Sequence, residues 1–215
     1  MGVFIRLLAA YLLGAFPTSI LVGKAVRGVD IRNHGSGNAG ATNAWRVLGW
    51  RSGLAVLAVD MAKGAAAAMA VSRIPVAGAG LDLSTLALLC GVAAVIGHVF
   101  PVYTRFRGGK GVATAGGMLF AVAPIPMSVA LGVFILAVVA SGRISLGSLG
   151  AAVAIPVSSY ALPMPSGARH PQLLLVLTSL LAAFIFWTHR RNLVRLWRGE
   201  ERVFPQLQLW RRWLR

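Results

Sequence analysis

The chain has 215 residues, 57% of them hydrophobic, and a mean hydropathy of +0.75, which is too apolar for a soluble domain of this length and makes lipid its solvent. Five carboxylates (Asp30, Asp60, Asp82, Glu200, Glu201) stand against 21 Lys and Arg, and a net charge of +16 calls for an anionic partner. Because the basic residues lie between apolar runs rather than along a folded basic face, nucleic acid is excluded, and anionic headgroups or anionic substrates remain.

A helix needs about 20 mostly apolar residues to cross the hydrocarbon. The first such run, 3–23, resembles a signal peptide in having Arg6 ahead of the apolar residues 7–13, but has no clear small-x-small cleavage site, and is read as a retained span. Further runs are 52–72, 82–103, 111–141, 144–163 and 171–187. The run 111–141 is too long for one helix, and Pro124 and Pro126 divide it near 123–127, because a helix interior tolerates proline poorly. Seven spans in an all-α, polytopic bundle are therefore predicted, with the whole chain forming one transmembrane domain. The single cysteine, Cys90, lies inside an apolar run and is read as packing.

Seven spans place the termini on opposite sides. The loop 24–51 carries Lys24, Arg27, Arg32, Arg46 and Arg51, and the loop near Arg105 adds Arg107 and Lys110. Arg143 and the arginines from Arg190 to Arg215 fall on that same side, while Arg6, Arg73 and Arg169 lie opposite. The positive-inside rule then puts the N-terminus outside and the tail in the cytoplasm. Residues 203–215 mix apolar residues with arginine and are expected to lie in the headgroup layer.

The polar, glycine-rich segments collect on the cytoplasmic side of this topology. In the first, Gly35, Gly37 and Gly40 imitate a dinucleotide fingerprint, with Asp60 falling 20 residues after Gly40. No buried strand precedes them and Asp60 lies in a span, so that reading fails. What survives is anion chemistry: glycine lets backbone N–H groups approach a phosphate, Ser36, Asn38, Thr42 and Asn43 add neutral hydrogen-bonding groups, and Arg46 adds a charged fork.

Asp60 and Lys63 follow one turn apart inside the second span, where a mutual ion pair is expected, and His98 precedes Pro101 in the third as a satisfied interior histidine. The next glycine segment, Gly108, Gly109, Lys110 and Gly111, opens a helix that continues through Thr114. It is a phosphate seat rather than a nucleotide loop, since glycine follows Lys110 where Ser or Thr would be required. Ser145 and Ser148, next to Arg143, are either helix caps or a further anion contact. After the last span, His189, Asn192 and Arg195 recur every three residues and share a face if the helix continues, with Glu201 shortly beyond.

Taken in order, these strings resemble the acyl-phosphate-dependent glycerol-3-phosphate acyltransferase family of bacterial membranes. The strings are Ser36 to Asn43 with Arg46, Asp60 to Gly64, Gly97 and His98 with Pro101, Gly108 to Gly111 with Thr114, and His189, Asn192, Arg195 and Glu201. The resemblance implies transfer of a fatty acyl group from acyl phosphate to the 1-hydroxyl of glycerol 3-phosphate, giving lysophosphatidic acid and phosphate, with no cofactor and no metal. It implies an inner-membrane enzyme whose site faces the cytoplasm. It also implies essential roles for Ser36 and Arg46, glycerol 3-phosphate binding by Gly108 to Gly111, and a need for His189, Asn192 and Glu201 in activity or integrity.

Beside that resemblance, the residues themselves favour direct attack on an already activated mixed anhydride. No H-x-x-x-x-D pattern of thioester-dependent acyltransferases is present. Arg46, Lys110 and backbone N–H groups are expected to stabilise phosphate and oxyanion charge. The base is either His189 or a substrate phosphate oxygen. Ser36 is read as a hydrogen-bonding residue rather than an acyl-enzyme nucleophile, since no Asp-His relay stands beside it. Gly37, Asn38, Gly40, Thr42, Asn43, Ser145 and Ser148 complete the expected phosphate contacts. Membrane lipid is the expected surrounding partner, and a monomer is compatible with the sequence. The rival class is a transporter or channel for a phosphorylated solute, against which stands the clustering of polar blocks at one face.

Overall fold

The computed structural model describes residues 1–77, 80–162 and 171–208. Among them the regular elements are helices, without a strand, and they fall into two compact units, Met1–Val122 and Ala123–Arg215.

The first unit begins with α1 (Gly2–Ala15) and α2 (Thr18–Arg27). They are separated at Phe16 and Pro17, where proline cannot donate to the helix ladder. Gly28 ends α2 in the left-handed conformation, φ 68°. A short 3-10 turn, capped by Asp30, leads through the first glycine segment into α3 (Ala41–Leu48) and α4 (Trp50–Met69). α5 (Leu83–Val99) starts at Asp82, whose carboxylate accepts the Thr85 N–H at 3.1 Å. α6 (Val112–Val122) follows the second glycine segment.

Small residues let these helices approach closely, as expected where lipid offers no hydrophobic push. Gly14 of α1 abuts the Ala94 backbone of α5, and Gly97 of α5 abuts the Tyr11 backbone of α1. Gly64 of α4 meets the Thr114 carbonyl of α6, and Gly117 of α6 meets the Met61 carbonyl of α4. Arg6, 6% exposed within the first span, donates to two chain-reversal carbonyls: Nε to Ile74 at 3.0 Å and an Nη to Val76 at 3.1 Å.

The second unit holds α7 (Pro124–Ser141), α8 (Ile144–Ala161), α9 (Pro171–Thr188) and α10 (Arg190–Trp197). Proline at the first position of α7 produces the expected break after Val122. α7 and α8 join through Gly142 at φ 68°. α9 and α10 bend by 63° at His189, so the expectation of one continuous helical face through His189, Asn192 and Arg195 is corrected.

Among the described residues, five segments are long and apolar enough to cross a membrane, or six if the bent pair α9 and α10 is one span. The seven-span expectation counted α6, whose 11 residues rise only about 16 Å against a hydrocarbon core of about 30 Å. Part of the expected interfacial tail, 209–215, and Arg169, expected in an outer loop, lie outside the described residues.

Candidate active site

The first glycine segment is organised from within. Asp30 accepts the Arg32 N–H at 2.9 Å and pairs with its guanidinium at 2.7 Å. The Arg32 hydrogen bond holds the Asp30 carboxyl below the usual carboxylate range, outweighing partial burial. An Nη of Arg32 goes on to donate to the Thr104 carbonyl at 3.2 Å, fastening this segment to the second one.

Asn43, 1% exposed, is the peg of the loop. Its Nδ2 donates to the carbonyls of Ile31 and His34, both at 3.0 Å, and its Oδ1 accepts the Ser36 N–H at 2.8 Å. The expectation that Asn43 contacts phosphate is therefore corrected: its donors are committed to the chain. Gly35 and Gly37 take φ of 62° and 74°, and a Cβ on Gly35 would overlap the Asn43 carboxamide. Ser36 is thus presented between two left-handed glycines, and Gly40, at the start of α3, places Arg46 in that helix's last turn. Asn38 and Thr42 lie in the same segment, both half-buried.

The second segment turns sharply after α5. Arg105 and Phe106 adopt φ of 56° and 60°, a region costly for side chains of this size. Gly108 then donates its N–H to Val99 at 3.2 Å and Gly109 donates to His98 at 3.1 Å. This corrects the expected role of those two glycines: their N–H groups satisfy the terminal carbonyls of α5 rather than waiting for an anion. Their lack of a side chain serves close approach, because a Cβ on Gly108 would overlap the His98 carbonyl and one on Gly109 the His98 ring. A Cβ on Gly109 would also lie 2.9 Å from the Ala39 carbonyl, so the two glycine segments are close neighbours here. Lys110 stands immediately beyond, followed by Gly111 at φ 85°. Thr114 is fully buried in the α4–α6 contact, which removes it from the expected phosphate ligands.

Behind the loops lie the charges of the spans. Lys63 Nζ is 2.8 Å from Asp60 Oδ1 and donates to the Phe16 carbonyl at 3.2 Å, and His98 Nδ1 is 3.7 Å from the same carboxylate oxygen. The expected pair forms, and the histidine joins it. A narrow cleft opens beside them, lined in part by Thr18, Ser19, Lys63, His98, Arg107 and Gly108. Thr18 and Ser19, 5% and 3% exposed, are site residues that sequence reasoning missed. The signal available in the sequence is Pro17 followed by two hydroxyl residues inside an apolar run.

The second unit builds its own polar cluster around Glu201. Its Oε1 accepts from Ser145 Oγ at 2.7 Å and Asn192 Nδ2 at 2.6 Å, and its Oε2 accepts from Arg195 Nε at 3.0 Å. Ser148 donates to the Ile144 carbonyl at 3.0 Å. Neither serine caps α8, and each spends its one O–H on a protein acceptor, Glu201 or the Ile144 carbonyl. His189, 2% exposed, has Nδ1 2.8 Å from the Ile185 carbonyl, which makes Nδ1 the protonated nitrogen of the neutral ring and Nε2 the accepting one.

Burial pushes the Glu201 carboxyl up, but Ser145, Asn192 and Arg195 together hold it below its ordinary value. A depressed carboxylate stabilises the fold above its unfolded value and loses that contribution as pH falls through the folded one. Thermal denaturation of the Glu201→Gln variant should therefore show a lower Tm near neutral pH, with the difference from wild type shrinking below about pH 4. A difference that stays constant with pH would remove Glu201 as the titrating group.

Comparison with known proteins finds relatives over nearly the whole chain. The family model described as glycerol-3-phosphate acyltransferase matches residues 4–199. A curated glycerol-3-phosphate acyltransferase of Chlorobaculum tepidum is 45% identical, covering 91% of this chain and 93% of the relative. One of Salinibacter ruber is 47% identical, covering 91% and 89%. Two crystal structures of PlsY (YgiH), an integral membrane glycerol 3-phosphate acyltransferase, one in the glycerol 3-phosphate form and one in the lysophosphatidic acid form, superpose with a TM-score of 0.80. Each covers 95% of this chain and 96% of its own, at 34% and 33% identity. A family match of this extent, with the Ser36 to Arg46 and Gly108 to Gly111 segments meeting beside a buried ion pair, places the chain in the glycerol-3-phosphate acyltransferase family.

Proposed function

We propose that this protein transfers a fatty acyl group from acyl phosphate to the 1-hydroxyl of glycerol 3-phosphate at the cytoplasmic face of a bacterial inner membrane. The hydroxyl oxygen attacks the acyl carbonyl, the bond to phosphate breaks, and lysophosphatidic acid and inorganic phosphate result, with the hydroxyl proton passing to a base. The observation that carries this reading is the meeting of the two glycine segments through Arg32 with Thr104 and Ala39 with Gly109. It brings Ser36, Arg46 and Lys110 onto adjoining segments of one unit. Both reactants are phosphates, and such a basic, donor-bearing surface lowers the cost of gathering their charge.

Ser36 is assigned a hydrogen bond to substrate, helped by Gly37, Asn38, Gly40 and Thr42 around it. Arg46 is assigned the phosphate or oxyanion, and Lys110 with Gly111 the glycerol 3-phosphate. The base is His189 or a substrate phosphate oxygen, and in the second unit Glu201 fixes Asn192 and Arg195. Seven spans, counting the short α6 as one that crosses only part of the hydrocarbon, an outward N-terminus, a monomer and lipid as the surrounding partner complete the proposal. A phosphorylated-solute carrier is disfavoured by the family to which the chain belongs.

Purified protein given palmitoyl phosphate and glycerol 3-phosphate should release phosphate and form lysophosphatidate, with little product from acyl thioester or acyl carrier protein donors. Absence of both products would remove the proposal; efficient use of a thioester would correct the donor. Lys110→Ala should raise KM for glycerol 3-phosphate by about 10- to 100-fold, as loss of a charge-assisted contact predicts, with a smaller change for acyl phosphate. An unchanged acceptor KM would reject that assignment.

A further inference from the structure

Asp60, Lys63 and His98 carry no step of the transfer above, yet burying charged groups in a span is expensive and their retention needs a reason. They are 2%, 5% and 7% exposed. Lys63 holds both Asp60 and the Phe16 carbonyl, at the break between α1 and α2. One edge of the His98 ring faces the Asp60 carboxylate, Nδ1 to Oδ1 3.7 Å. The opposite nitrogen, Nε2, lies against the Cα of Gly109, so closely that a Cβ there would overlap it. The His98 main chain accepts the Gly109 N–H, and a Cβ on the same glycine would meet the Ala39 carbonyl of the first segment at 2.9 Å.

We propose that Asp60, Lys63 and His98 form a positioning unit in which the His98 ring, backed by the Asp60–Lys63 pair, sets the separation of the two substrate-bearing glycine segments. This rests on the reading that those segments hold substrate. His98 is the spacer between α4 and Gly109, and Lys63 locks the height of the spacer's backing by anchoring it to the chain break at Phe16. None of the three is a catalytic residue in this scheme; each acts on substrate through Gly109 and Ala39. Removing the spacer lets the segment bearing Lys110 settle toward α4 and away from the geometry that grips the acceptor.

The test is a set of KM and kcat measurements on the full chain with palmitoyl phosphate and glycerol 3-phosphate. Turnover by the wild type comes first: without it the acyltransferase reading itself falls, and the positioning unit is not what failed. With it, His98→Ala should raise KM for glycerol 3-phosphate by about 10-fold while KM for palmitoyl phosphate moves less than about 2-fold, and His98→Gln should recover part of the loss. Asp60→Asn/Lys63→Met, which removes both charges and leaves neither uncompensated, should fold and show the same acceptor-specific rise. Gly109→Ala should be strongly impaired, and adding His98→Ala to it should return about 5-fold or more of kcat/KM by relieving the overlap, a non-additivity expected of touching groups. Unchanged acceptor KM in both His98→Ala and the double variant, with only kcat or yield reduced, would show a merely structural cluster and overturn the proposal. Failure of all these variants to fold would overturn it equally.

Discussion

Arg46→Ala should lower kcat by about 10²- to 10³-fold, the loss typical when one preorganised donor to developing oxyanion charge is removed. Arg46 occupies the last turn of α3, a helix of eight residues whose entry is fixed by Gly40 and by the Asn43 peg. That anchoring is the reason to expect a catalytic rather than a merely electrostatic effect: a guanidinium on a short, pinned helix loses little freedom when it meets its ligand. Lysine cannot reproduce the planar fork, so Arg46→Lys should recover only a small part of the rate. Arg51 is the matched control, five residues on at the start of α4, with its guanidinium 5.3 Å from the Trp50 ring centroid. Arg51→Ala removes the same charge from the same basic segment and should leave kcat within about 2-fold, because an exposed charge acts weakly through screened solvent. Equal losses at Arg46 and Arg51 would mean that general charge, not Arg46, supports turnover; a near wild-type rate in Arg46→Ala would remove its role.

The legible part of this molecule was what periodicity and spacing encode directly. Apolar runs gave the helices, Pro124 gave the break after Val122, and the i, i+3 spacing of Asp60 and Lys63 gave a pair at 2.8 Å. The glycine segments were recognisable as sites, but the sequence did not say which N–H groups they would spend. Gly108 and Gly109 looked like an anion seat, whereas their donors close the end of α5, because the sharp reversal at Arg105 and Phe106 brings them back onto His98 and Val99. Asn43 looked like one more phosphate contact in a polar string and is the internal support of that string. Such assignments depend on tertiary closure, which no local pattern contains. The bend at His189 was hidden for a similar reason: Thr188 to Arg195 has no proline or glycine, so helical spacing ran on across a point where the chain turns by 63°. Ser145 became a partner of Glu201, 56 residues away, which spacing could not foresee.

The second large effect is expected at Gly117, where alanine should cost at least about 3 kcal/mol, the upper part of the range for inserting a methyl group into a packed interior. In most core sites an added methyl meets the flexible end of a side chain, but here it meets main chain: the carbonyl, the carbonyl carbon and the Cα of Met61 on α4. Rotamer changes cannot relieve that overlap, so α6 must move bodily. The reciprocal contact of Gly64 with the Thr114 carbonyl makes a tilt equally costly, since separating the helices at one level strains the other. At this chain length the loss corresponds to a fall in Tm of about 6–12 °C in detergent. α6 also carries the Gly108 to Gly111 segment at its start, so activity should fall with stability and not after it. Gly132, in the interior of α7 with nothing within 4 Å of an added Cβ, supplies the contrast. There alanine should be neutral or stabilise by up to about 1 kcal/mol, through helix propensity alone. A Gly117→Ala variant as stable as Gly132→Ala would show that α4 and α6 are not in backbone contact, and the positions of both glycine segments, which depend on that contact, would have to be redrawn.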